Sequence, residues 1–231
     1  MQDILNAGLS PEEIDRRFEA SGERMTTPCY DGDMVWRVWG EGPPLVLLHG
    51  GYGSWRHWIK NIGPLSQRRR VFVADNPGLG DSASVPLPHS GEKLAAVIVE
   101  GIDQIIPVPE RFDLVGFSFG GLLGGHVASM MGDRVRNLVV IAPGGLGIAR
   151  TTERPPLAKI RPHMSEQELV DAHRHNLSVI MFHHAEKIDD LALYLQQETV
   201  KRARVKSPLI ARTDTLARVL PNITANMNAI Y

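Results

Sequence analysis

One cysteine, Cys29, is all that the 231 residues contain, which excludes an intrachain disulfide and any metal site built on paired thiolates. No apolar run approaches the roughly 18 unbroken residues that a membrane-spanning helix needs. The opening residues, MQDILNAGLSPEEIDRRFEA, lack the basic start and apolar core of a secretion signal. Excess charge is missing too: 25 Lys plus Arg face 26 Asp plus Glu, a formal net charge of -1, so neither nucleic acid nor an anionic membrane is indicated as a partner. These absences lead to the expectation of a cytoplasmic protein that takes a small-molecule substrate and requires no cofactor or metal. A homodimer, or a complementary C-terminal fragment, is the expected protein partner. The length suits one domain with a large core.

The remaining pattern is α/β. Ser10, Pro11 and Glu13 carry the signature of a capped helix start. Asp31-Gly32 sits between two strand-prone stretches and predicts a β-hairpin. After Pro44 come four short apolar runs: LVLLHG (45–50), RVFVAD (70–75), FDLVGF (112–117) and LVVIAP (138–143). Runs without alternation predict strands buried on both faces, and the helical stretches between them predict a mostly parallel sheet with crossover helices on both sides. From Arg150 onward the chain turns polar and helical, with a second capping signature at Ser165 and Glu168. NMNAIY (226–231) then reads as the start of another strand. The expected organisation is a core over 1–149, a helical cap over 150–225 and the beginning of the next core strand at 226–231.

The chemistry concentrates at DLVGFSFGGLLGG (113–125), where a strand, Gly116-Phe117-Ser118-Phe119-Gly120 and a helix follow one another. This is the context of a nucleophile elbow: a turn so tight that glycines are needed two residues before and after the serine. It lifts the hydroxyl off the sheet and aims the first helix amides at the same point, where negative charge is favoured. Attack by Ser118 on a carbonyl makes such a charge. Two backbone N–H groups are expected to bind it, those of Phe119 and of Gly51 in the glycine-rich loop LLHGGYGSW (47–55). Tyr52 and Trp55 are candidates for the walls of an acyl pocket, and Met181 and Phe182 for its apolar ceiling.

Taken together, LVLLHGG, ADNPGLGDSAS (74–84) and LVGFSFGG make the chain resemble the α/β-hydrolases over about residues 25–150. The resemblance implies a cap over the active site, as in esterases, C–C hydrolases of aromatic breakdown, dehalogenases and epoxide hydrolases; the elbow serine sets aside the last two, which place aspartate there. It also implies a triad histidine and acid on segments that follow the cap. The sequence ends within what resembles the next strand, so the fold is expected to be C-terminally incomplete and both groups to lie beyond Tyr231. IAPGGLGIA offers no acid at the alternative position after the preceding strand.

None of the nine histidines present reads as a substitute base. His49 belongs to the oxyanion loop and reads as structural; His57 and His126 read as helix-face or core residues, and His89 in a proline-rich loop carries no signal. The cap histidines 163, 173, 175, 183 and 184 read as solvated, since none of the close pairs has the i, i+4 spacing of a helical zinc site. Asp75 and Asp81 flank NPGLG and read as turn-shaping, and KRARVK (201–206) as the solvated end of a cap helix. The sequence therefore predicts a serine hydrolase acting on an ester, thioester or ketonic C–C bond of a small, apolar substrate. The competing expectation is a non-catalytic binding or regulatory protein that uses the same pocket.

Overall fold

The computed structural model describes residues 1–148 and 155–231. A short helix α1 (Gln2–Asn6) precedes α2 (Pro11–Ser21), whose N-cap Ser10 accepts the Glu13 N–H. Only half of the expected capping box forms: the Glu13 carboxylate turns outward to Arg16 and Arg17. Strands β1 (Glu23–Cys29) and β2 (Gly32–Trp39) pair antiparallel in the predicted hairpin. Its turn lies one residue earlier than expected, on Tyr30 and Asp31, with Gly32 already paired to Cys29. Gly32 is needed for space instead, because a Cβ there would sit 2.8 Å from that of Ala83.

The four apolar runs become β3 (Pro44–Leu48), β4 (Arg70–Ala74), β5 (Phe112–Phe117) and β6 (Val135–Ile141). Between them lie α3 (Ile59–Ser66), α4 (Gly91–Ile105) and α5 (Phe119–Met131). The strand order is β1-β2-β4-β3-β5-β6-β7, parallel from β4 to the edge strand β7 (Asn226–Ile230). The pleat explains the unbroken apolar runs. Val46, Leu48, Phe72 and Ala74 enter the core shared with α4 and α5, while Leu45, Leu47, Val71 and Val73 enter a second core with α2, α3 and Trp39. Helix α5 is buried from Phe119 to Ala128, as its small and apolar sequence requires.

The helical region contributes α6 (Glu166–Ile180), α7 (Asp190–Val200), α8 (Ser207–Ala211) and α9 (Thr215–Val219). Ser165 and Glu168 close the full capping box at the start of α6. The boundary expected at 149/150 lies outside the described residues. The stretch 201–206 departs from a solvated helix end: Arg202 pairs with Asp81, and Arg204 donates to the carbonyl oxygens of Gly80 and Ser82. Two cations thus pin this segment to the loop after β4. No described helix is long and apolar enough to cross a membrane.

Candidate active site

Ser118 stands between β5 and α5 with φ 53° and ψ −111°, in a region that costs a residue with a side chain about 1–3 kcal/mol. The surroundings leave it no alternative. Its N–H donates to Ile141 O (2.8 Å), and its carbonyl accepts the N–H groups of Gly121 (3.1 Å), Leu122 and Gly144. The glycines of the motif are forced by the same closeness. A Cβ on Gly116 would overlap the Gly120 carbonyl, and one on Gly120 would overlap the Leu48 carbonyl at the end of β3.

That last contact places the elbow directly against the glycine-rich loop. Among the described residues, the N–H groups of Gly51 and of Phe119 have no acceptor, and the Ser118 hydroxyl has no hydrogen-bond partner. Two unused donors from neighbouring loops beside a strained serine are what a developing oxyanion requires. Tyr52 is partly exposed and holds φ 56° between Gly51 and Gly53.

The loop's foundation is a neutral histidine. His49 is fully buried; its Nε2 accepts the Asn76 N–H (2.9 Å), so the proton is on Nδ1, which donates to Gly50 O (2.7 Å). Asn76 Nδ2 returns to the His49 carbonyl (2.8 Å). Burial pushes the His49 imidazole down to about 4. His57 accepts the Gly50 N–H on Nδ1 (3.3 Å), and burial, then the neighbouring His49 ring, bring it to about 3. Both are scaffold groups. Their linkage to stability has a definite sign: above pH about 6.5 folded and unfolded chains are both neutral at His49, and below it only the unfolded chain takes up the proton. Folding stability is therefore expected to fall by roughly 3 kcal/mol from this residue between pH 6.5 and 4. Urea midpoints against pH check it; His49→Gln should flatten the slope over that window.

Beneath the loop lies a buried ion network. Asp75 accepts the Trp55 N–H (2.7 Å), the Asp81 N–H (3.0 Å) and Arg37 Nη1 (3.2 Å). Arg56 makes a bidentate pair with Asp15 of α2 at 2.7 and 2.9 Å. Asp75 and Asp81 thus shape the turn, as expected. Trp55 departs from its expected role as a pocket wall: it is fully buried, its ring 5.6 Å from that of Trp39 and 5.1 and 4.9 Å from the guanidinium groups of Arg37 and Arg56. Its indole serves the core because both arginines are already held there by carboxylates.

Met181 and Phe182 do border a cavity, of about 240 Å³, together with His57, Ile59, Leu177 and Leu191. Ser118, Gly51 and Phe119 do not line it. A larger cleft of about 570 Å³ separates residues 84–89 from residues 204–210. Among the cap histidines, His173 is buried with Nδ1 unpartnered, rather than solvated; His183 and His184 are exposed, with ring centres 4.8 Å apart. No described group of three or more His, Cys, Asp or Glu is arranged to hold a metal ion. The residue that sequence reasoning missed is Ser207, which packs on Gly51 from α8. No local motif could have announced it, because the contact joins residues far apart in the chain.

A family model described as the alpha/beta hydrolase fold matches residues 43–189. A 2-hydroxy-6-oxononadienedioate/2-hydroxy-6-oxononatrienedioate hydrolase of Comamonas testosteroni is 30% identical over 157 residues, 66% of this chain and 54% of that protein. A pimeloyl-[acyl-carrier protein] methyl ester esterase of Vibrio vulnificus is 28% identical over 211 residues, 86% of this chain and 78% of the esterase. The chain spans about half the length of the Comamonas relatives it matches. Among solved structures, a protein of Acinetobacter baumannii described as a putative lipase superimposes with a TM-score of 0.72 at 20% identity, covering 95% of this chain and 77% of that one. That likeness concerns the fold alone.

Proposed function

Since the chain belongs to the α/β-hydrolase family, we propose that it carries the nucleophile and oxyanion site of a serine hydrolase acting on an ester, thioester or ketonic C–C bond. The observation that carries this reading is the strained Ser118, φ 53°, beside the unused N–H groups of Gly51 and Phe119. Ser118 Oγ attacks the carbonyl carbon, and its proton passes to a base. The carbonyl oxygen takes up the electron pair on the two N–H groups. As the tetrahedral intermediate collapses, the leaving alkoxide, thiolate or carbanion receives that proton, which leaves an acyl-enzyme; water then adds to it and releases the acid and the serine.

The base and its orienting carboxylate are proposed to come from residues that follow Tyr231, since no described histidine is hydrogen-bonded to Ser118 Oγ. The substrate is proposed to be small and apolar in its acyl part, with Tyr52, Met181 and Phe182 as candidate contacts. Relatives named as a 2-hydroxy-6-oxononadienedioate hydrolase and as a methyl ester esterase support attack on a carbonyl carbon.

The test is labelling of the protein, produced from its complete reading frame, with a fluorophosphonate probe followed by peptide mapping. A phosphonyl group on Ser118 is the expected result. A protein that binds small acids and esters but takes no label is a binding protein, and the hydrolase reading fails.

A further inference from the structure

One short segment crosses the carboxyl ends of the parallel strands and touches the loop after three of them. Arg204 N–H donates to Gly78 O at 2.9 Å after β4, and Val205 packs on that glycine. Ser207 packs on Gly51 after β3. Ala211 O accepts the Gly145 N–H at 2.8 Å, and Leu216 N–H returns to Gly145 O at 2.8 Å, both after β6. At each loop a glycine makes the approach possible: a Cβ on Gly51 would collide with the Ser207 hydroxyl, and one on Gly78 with the Val205 methyl.

Ser207 is the polar member of this crossing segment. The residue is 2% exposed, its Oγ lies against the Gly51 backbone, and no described group shares a hydrogen bond with it. The Gly51 amide beside it is the donor assigned to the substrate's carbonyl oxygen. Building on the hydrolase reading, we infer that Ser207 is a catalytic residue: its hydroxyl donates a third hydrogen bond to that oxygen, alongside the N–H groups of Gly51 and Phe119. The bond strengthens as the oxygen gains charge in the tetrahedral intermediate, so it acts on the rate more than on binding. A hydroxyl also rotates, so it can follow the oxygen as the carbonyl carbon becomes tetrahedral.

The test uses the protein produced from its complete reading frame, with p-nitrophenyl butyrate as substrate and a fluorophosphonate as the probe of Ser118. Ser207→Ala is expected to lower kcat by about 10- to 100-fold with KM changed less than about twofold. The fluorophosphonate rate should fall in parallel, with the urea midpoint unchanged. Ser207→Thr, which keeps a hydroxyl, is expected to recover most of the loss. A Ser207→Ala kcat equal to the parent's, a loss confined to KM, or a loss that Ser207→Thr shares in full would overturn the assignment while leaving the hydrolase reading intact. A parent protein that takes no label overturns both.

Discussion

Ser118→Gly is expected to abolish hydrolysis and at the same time to make the protein more stable. Activity should fall by about 10⁴-fold or more, because nothing else in the elbow can form the acyl-enzyme. Unfolding free energy should rise by about 1 kcal/mol, since glycine relieves the strain at φ 53° and gives back only part of the gain in chain entropy. Ser118→Ala separates the two effects: it loses the nucleophile but keeps a Cβ in the strained position, so it should be as inactive as Ser118→Gly without the gain. Steady-state rates and urea midpoints of the two variants decide the matter. A Ser118→Gly protein with parental activity would remove the serine from the mechanism, and one no more stable than Ser118→Ala would remove the strain from the account.

The second large effect is expected far from any substrate. Asp75→Ala should cost about 3–5 kcal/mol of folding stability. It removes the acceptor of the Trp55 and Asp81 N–H groups and one partner of Arg37, at a site where Asp75 and Arg37 are 0% and 2% exposed. Burial pushes the Asp75 carboxyl above the usual carboxylate range, with Arg37 pulling the other way. The aspartate's value therefore lies chiefly in the bonds it accepts, and Asp75→Asn, which keeps one acceptor oxygen, should lose less than half as much. Urea unfolding of the three proteins gives the comparison. A loss below about 1 kcal/mol for Asp75→Ala would show that the arginine is held by Glu19 and Asp81 alone.

These two residues also mark how far the sequence could be read. The strand runs and the tight turn at Ser118 were legible because each is a local pattern: apolar blocks for strands buried on both faces, and glycines at fixed offsets from a serine. Asp75 was legible as a turn residue by its place beside NPGLG. Trp55 was not, because its burial depends on two arginines anchored by carboxylates from α2 and from the β4 loop, which share no signal with LLHGGYGSW. Asp31-Gly32 misplaced the hairpin turn by one residue because Gly32 answers a packing demand from Ala83, which in a sequence looks the same as a demand of the turn. Arg202 and Arg204 looked like solvent-facing charges, and only the folded chain brings Asp81 and the β4-loop carbonyls to them. Ser207 had no signal at all, since a serine followed by a proline in a polar stretch is most simply a helix start.

The segment from Arg204 to Leu216 has a mechanical consequence. Loops rising from separate strands ordinarily wander independently, each on its own stem. Here the ones after β3, β4 and β6 are gauged against a single piece of chain, with Gly51, Gly78 and Gly145 as the notches into which it drops. A displacement of the β4 loop is carried through Arg204 and Val205 to Ser207, and so to Gly51, whose amide is proposed to face the substrate's oxygen. The precision of the proposed oxyanion site is thereby set by the fit of all three loops to one ruler, and a length change in any of them is felt at Gly51.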